Sequence, residues 1–188
     1  FLSKLAGSDG EMWLKAFKRF LRKENPWGSK FPVRWTLTLG LHQSPEAYEE
    51  ALESNGMRIS NWARDILKKV TCSKKQVEVY LAMATVAKLG LTKGGTTEQI
   101  HAAILASGGS LCPAEVGPAL RLLYKDQSKE EWCYLAMEAI SDSGGGLGVF
   151  DVVRGSDDLW LDAGGGHLDG CWGPGCRVVF VVPAQVPQ

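Results

Sequence analysis

The chain lacks an excess of charge of either sign, carrying 21 Lys and Arg against 21 Asp and Glu in 188 residues. No net field therefore steers it toward nucleic acid or an anionic membrane surface. It lacks an apolar run long enough to cross a bilayer. A signal peptide is not visible, although a chain opening at Phe1 is compatible with removal of an upstream segment. Cysteine forms no framework: Cys72, Cys112, Cys133, Cys171 and Cys176 are odd in number and irregular in spacing. That usage fits reduced thiols better than a disulfide scaffold, with a Cys171–Cys176 pair left open. Thr92-Lys93-Gly94-Gly95-Thr96-Thr97 lacks the Gly-Lys-Ser/Thr order of a phosphate loop and reads as a turn leading into a helix. What remains is an ordinary apolar content of 45%, enough for one core or a core plus an appendage.

Residues 1–72 read as a small helical and mixed N-terminal appendage. Ser8 and Glu11 form a capping-box pattern, followed by Trp13, Phe17, Phe20 and Leu21 on one helical face. Lys15, Lys18, Arg19, Arg22 and Lys23 fall largely elsewhere on that helix. Val33 to Leu39 alternates as a half-buried strand does. Ser44-Pro45-Glu46 supplies a cap and a first-turn proline for a helix toward Ser54, and Asn55-Gly56 breaks it. Ile59 to Lys69 reads as another short helix.

Residues 73–188 read as the principal domain. Gln76 to Leu89 alternates as a long or bent strand, with helix as the alternative. Thr96-Thr97-Glu98-Gln99 opens a helix that Gly108-Gly109 stops, and Cys112-Pro113-Ala114-Glu115 opens another. Strands then follow at Trp132–Ile140, Leu147–Val153, Leu159–Leu161 and Arg177–Val182. Helices first and hairpins later predict an α+β fold with an antiparallel sheet. Trp13, Trp35 and Trp132 read as core by position.

The densest functional signal lies between the last two strands. Asp162, Ala163, Gly164, Gly165, Gly166, His167, Asp169, Gly170, Cys171, Gly173, Gly175 and Cys176 form a small-residue loop clamped by apolar segments. Irregular segments of this length are presented for a purpose when flanking strands hold their ends. Trp160 and Trp172 read as the scaffold of that loop, with Trp172 either pinning it to the body or serving as a binding anchor. His167, Cys171, Cys176, Asp162 and Asp169 offer metal-type ligands, but at spacings that match no zinc pattern. A His and a Cys in one loop resemble a dyad, yet nothing nearby in sequence orients the His. Cys112 is either a helix-start thiol of lowered pKa or a core residue.

This strand, helix, helix, four-strand order, with its C-terminal pattern, resembles the C-type lectin-like variable proteins of diversity-generating retroelements. In that family an error-prone copying at adenines rewrites a region near the C-terminus. Template Asn codons so altered yield many residue types but not Lys, Glu, Gln, Met or Trp. Leu161 to Cys176 contains none of these except Trp172, which the family's logic makes an unvaried scaffold position. Leu111 to Pro118 and the closing Arg177-Val178-Val179-Phe180-Val181 are similar to segments of sequences with this layout, whose equivalent loop is rich in Asn. The resemblance covers roughly Ser73 to Pro183. The formylglycine-generating-like branch carries a Gly-Gly-Ser-Trp signature that is missing here, so the branch stays open.

The resemblance implies a C-type lectin-like fold with two helices and an antiparallel sheet, preceded by the small mixed appendage. It implies a display protein whose loop binds a variable macromolecular ligand, a protein in the first instance, with no chemistry and no cofactor. Display would place the working surface on a cell or virion. No Glu-Pro-Asn-type calcium site is visible in the loop, so sugar binding does not follow. No nucleic-acid partner and no membrane insertion are expected. The alternative is a small metal- or thiol-dependent hydrolase using His167 with Cys171 or Cys176. A third reading is a nucleic-acid or scaffold role for the basic first helix.

Overall fold

Alternation of apolar and polar side chains at Val33 to Leu39 does produce a strand, β1 (Trp35–Leu39), with Leu37 and Leu39 turned into the core. The computed structural model describes residues 10, 14, 17, 18, 21 and 29–184. The expected first helix, its Ser8 cap and Trp13 lie largely outside the described residues, although residues 10, 14, 17, 18 and 21 are helical.

After β1 come α1 (Pro45–Ser54), β2 (Arg58–Ile59), α2 (Asn61–Leu67) and β3 (Val77–Thr85). Ser44 caps α1 by accepting the Ala47 N–H at 3.2 Å, with Pro45 in the first turn as its sequence requires. Ser60 caps α2 in the same way, so the helix expected from Ile59 starts later and Ile59 joins a strand. Beyond β3 follow β4 (Gly95–Thr96), α3 (Thr97–Ala106), α4 (Val116–Leu123), β5 (Trp132–Leu135), β6 (Ile140–Ser141), β7 (Leu147–Arg154), β8 (Leu159–Gly165), β9 (Cys171–Trp172) and β10 (Arg177–Val182). The strand expected over Trp132–Ile140 is thus two pieces, and β6 pairs back onto β7.

The result is a mixed α+β fold of four α-helices among the described residues and a curled, mostly antiparallel sheet. The sheet runs β1-β3-β10-β5-β7-β8-β2, with β4 and β9 forming a separate two-stranded ribbon. Two pairings are parallel, β10 with β5 and β2 with β8. Among the described residues no helix is long and apolar enough to cross a membrane.

A boundary at residue 72 does not divide two cores. β1 pairs with β3 and β2 with β8, so strands from both sides share one sheet. Leu37, Tyr48, Leu52 and Ile66 pack in the same buried cluster as Leu120, Phe150 and Phe180. The Glu115 carboxylate fastens the two segments: it accepts the Gly40 N–H at 2.8 Å, the Ser73 N–H at 2.8 Å and the Tyr48 hydroxyl at 2.9 Å. Burial alone would raise its pKa, but these hydrogen bonds outweigh burial and hold it below the ordinary carboxylate value.

One sheet face is covered by α4, where Gly117 lies against the Phe150 ring so closely that an added Cβ would sit 2.5 Å from it. Alternation along β7 and β8 puts Phe150, Val152 and Leu161 on this face. The opposite face therefore carries Asp151 and its cross-strand partner Asp162. β5 adds Tyr134, which stands opposite Asp151 in the register.

Candidate functional site

Strand β8 runs further than its composition indicates. Asp162, Ala163, Gly164 and Gly165, expected in a loop, are its last four residues and pair with β7 as far as Gly165↔Gly148. The connection to β10 is therefore shorter, residues 166–176, and is itself interrupted by β9. Trp160 is half-buried on β8, between Val153 of β7 and Arg58 of β2.

The connection is strapped to the body by its main chain. The first N–H groups of α3 have no partner within the helix, and two of them point at loop carbonyls. Thr97 N–H donates to Gly170 O at 2.9 Å and Glu98 N–H to Leu168 O at 3.0 Å. Thr96 caps the same helix through a reciprocal capping box with Gln99. β9 pairs antiparallel with β4, Gly95 opposite Trp172 and Thr96 opposite Cys171. Further along, Ala87 N–H donates to Pro174 O at 2.9 Å and Val86 N–H to Cys176 O at 3.0 Å. Gly94 has φ +88°, and a Cβ there would lie 2.4 Å from the Trp172 carbonyl, so only glycine permits this approach.

One side chain completes the attachment. The Trp172 ring packs on Tyr134 with centroids 4.2 Å apart, and its indole N–H donates to the Thr97 hydroxyl at 2.8 Å. Of the two roles open to Trp172, the structure supports the one that pins the loop to the body. Tyr134 is buried, and burial pushes its phenol pKa up. Its hydroxyl lies 3.4 Å from His101 Nε2, and burial lowers the His101 pKa.

The predicted contact residues separate into two groups. His167, Asp169 and Cys171 are exposed, as is Leu168 at 58%. Among the described residues neither His167 nor Asp169 makes a side-chain hydrogen bond or ion pair, and Cys171 Sγ donates only to Asp169 O, at 3.7 Å. Gly165, Gly173 and Gly175 are exposed too, and a Cβ on Gly165 or Gly175 would meet nothing within 4 Å. Gly166, by contrast, is buried, and its Cβ would lie 2.7 Å from that of Ala139. Gly170 is half-buried, with the His167 carbonyl 3.0 Å from its Cβ position. Gly166 is thus interior packing and not contact surface.

Among the described residues the side chains of the catalytic alternative stand apart. Cys171 and Cys176 are both free thiols, the second half-buried, and no hydrogen bond joins His167 to either. Among the described residues no three His, Cys, Asp or Glu side chains form a group that could hold a metal ion. Cys112 precedes α4 by several residues and is buried at 4% exposure; burial raises its pKa, which makes it a core thiol.

Two features were missed by sequence reasoning. Trp132 is not core but 57% exposed. Asp151 is 3% exposed, and its Oδ1 has no hydrogen-bond partner. Burial raises its pKa from 3.8 to about 7, against a hydrogen bond from Trp132 that lowers it, with repulsion from Asp162 adding to the rise. Its signal was legible, a single carboxylate inside the apolar run Leu147 to Val153. Thr97 and Tyr134 gave no such signal, since only the tertiary fold brings them to Trp172.

Beside the loop, the outer edge of β8 borders an open groove of about 450 Å³. Trp62, Trp132, Leu147, Asp142 and Asp162 line it, with Ala163, Gly164 and Gly165 among the residues at its base. No protein-family model, no curated protein and no solved structure matches the chain.

Proposed function

We propose that this chain is a ligand-binding module that presents exposed, exchangeable side chains on a frame held by its main chain, and that it performs no chemistry. The observation that carries the reading is the fastening of residues 166–176. Backbone hydrogen bonds to α3 and to the turn after β3, the β4–β9 ribbon and Trp172 hold them. The side chains of His167, Leu168, Asp169 and Cys171 contribute little to that fastening. A surface whose side chains can change at little folding cost is what a diversified binding site requires. On this reading the module has a C-type lectin-like fold, is a variable protein of a diversity-generating retroelement, and takes protein ligands on a cell or virion surface. The avoidance of Lys, Glu, Gln and Met from Leu161 to Cys176 supports it.

The test is to randomise positions 167, 168, 169, 171, 173 and 175 together while retaining Trp172, Gly164 and Gly166. Most library members should fold with urea midpoints close to the parent, and selection against a panel of proteins should return specific binders. Loss of folding in most members would overturn the reading. At the level of the genome, a nearby reverse transcriptase gene and a near-copy of the terminal coding segment differing only at adenines are expected. An intact locus without either would remove the retroelement from the account.

A further inference from the structure

We infer that the free outer edge of β8 is a docking site for an extended segment of a partner protein, received by strand addition and carrying a lysine or arginine into the groove. The inference rests on the reading of the chain as a binding module and supplies the chemistry of its partner. β2 pairs with β8 only at Trp160 and Leu161, so among the described residues Asp162 to Gly165 have no strand on their outer side. Native proteins blunt or cover such an edge, because its unpaired backbone groups recruit another strand. Helix α2 flanks this edge with Trp62 and Ile66, and among the described residues the side chain that caps its backbone is Asp162, whose Oδ1 accepts the Ala163 N–H at 2.8 Å. Ala163, Gly164 and Gly165 add no bulk to keep a second backbone away.

The side chains around this edge define what would lie on it. Trp62 and Trp132, 70% and 57% exposed, border the groove together with the partly exposed Leu147. Exposed indoles are unusual as solvated surface and frequent as anchors at interfaces. The charged residues lining the groove, Asp142 and Asp162, are both acidic. A third carboxylate stands directly behind: Asp151 Oδ2 lies 2.8 Å from where a Cβ of Gly164 would be. The missing side chain at Gly164 leaves room beside this buried group, and its other oxygen, Oδ1, has no hydrogen-bond partner. Indole faces and carboxylates together recognise an ammonium or guanidinium. An incoming strand would supply main-chain hydrogen bonds to Ala163 and Gly165, with alternate side chains reaching the groove.

The experiment pans a random dodecapeptide display library against the whole chain, followed by titration of a synthetic enriched peptide monitored through backbone amide resonances. Enriched peptides are expected to carry Lys or Arg in an alternating, β-prone pattern and to shift the amides of Ala163 and Gly165. Replacing the peptide's basic residue by norleucine should weaken binding at least tenfold. Asp162→Asn, which keeps an oxygen for the Ala163 N–H, and Trp132→Ala, at an exposed position, should do the same without altering the circular dichroism. Enrichment of peptides without basic residues, or of none at all, would overturn the inference. A footprint on residues 167–175 would also overturn it, while leaving the binding-module reading intact. Unfolding of the randomised loop library would remove the module reading without touching this footprint.

Discussion

Asp151 makes the stability of this protein depend on pH in a direction opposite to that of a typical carboxylate. Its side chain is 3% exposed on β7, and burial raises its pKa from 3.8 to about 7. The folded state therefore keeps a proton that the unfolded chain releases at much lower pH. Stability is fully present below the unfolded value, declines as pH rises, and stops declining once pH passes the folded value near 7. Each pH unit of displacement is worth about 1.4 kcal/mol, so the whole penalty is of order 4 kcal/mol. Asp151→Asn removes the ionisation while keeping the shape. The assay is urea unfolding of both proteins across the pH range, read as the difference in unfolding free energy. That difference should move in favour of the Asn variant by about 3 kcal/mol between about pH 5 and about pH 8. His101, whose lowered pKa gives it the opposite slope through its ordinary value, is common to both proteins and cancels in the difference. A difference constant with pH would refute the buried carboxyl of raised pKa.

Other perturbations test the loop's fastening. Trp172→Ala removes the packing on Tyr134 and the hydrogen bond to Thr97. It should cost about 2 kcal/mol or more by chemical denaturation, and the Thr97 and Glu98 amides should exchange faster with solvent. Unchanged exchange at Thr97 would show that Trp172 does not hold the strap. Gly166→Ala places a Cβ 2.7 Å from Ala139 and should cost about 1–3 kcal/mol. Gly175→Ala, with nothing within 4 Å, should stay within about 0.5 kcal/mol; equal effects would contradict the packing at Gly166. Thiol labelling of the native protein should proceed first at exposed Cys171, whereas Cys112 and Cys133, buried and with raised pKa values, should react only on unfolding. Labelling of Cys133 as fast as Cys171 would sink that assignment.

Where a local rule governs, the sequence was informative. Ser44-Pro45 and Thr96 through Gln99 mark helix starts because capping chemistry is confined to four consecutive residues. β1, β7 and β10 were visible because alternating or continuous apolar side chains must be buried. Asp162 to Gly165 have the composition of a loop because glycine disfavours strands, but cross-strand pairing with β7 overrides that preference. Trp132 stands on a strand where its identity says core and its register says edge of the groove. Register is tertiary information, so the sequence alone could not decide. The sharing of one sheet by strands from both sides of residue 72 is hidden for a similar reason. Glu115, which ties Gly40, Tyr48 and Ser73 together, acts across long sequence separations that composition does not report.

Glycine content near the C-terminus therefore answers two different requirements. Gly94 and Gly166 are small because a neighbouring backbone or core residue occupies the space a side chain would take. Gly164 is small where a buried carboxylate crowds the same space. Gly165 and Gly175 face open space, and a Cβ on Gly173 would make only an ordinary contact with Cys176 Sγ at 3.9 Å, so nothing in the frame dictates their size. A binding site built this way limits variation by geometry, position by position. On the proposed reading the permitted positions are scattered among forbidden ones, and the loop's conformation is to stay the same while its side chains differ. That constancy offsets the entropy that a glycine-rich loop would otherwise lose on binding, because the main-chain bonds to α3 have already ordered it.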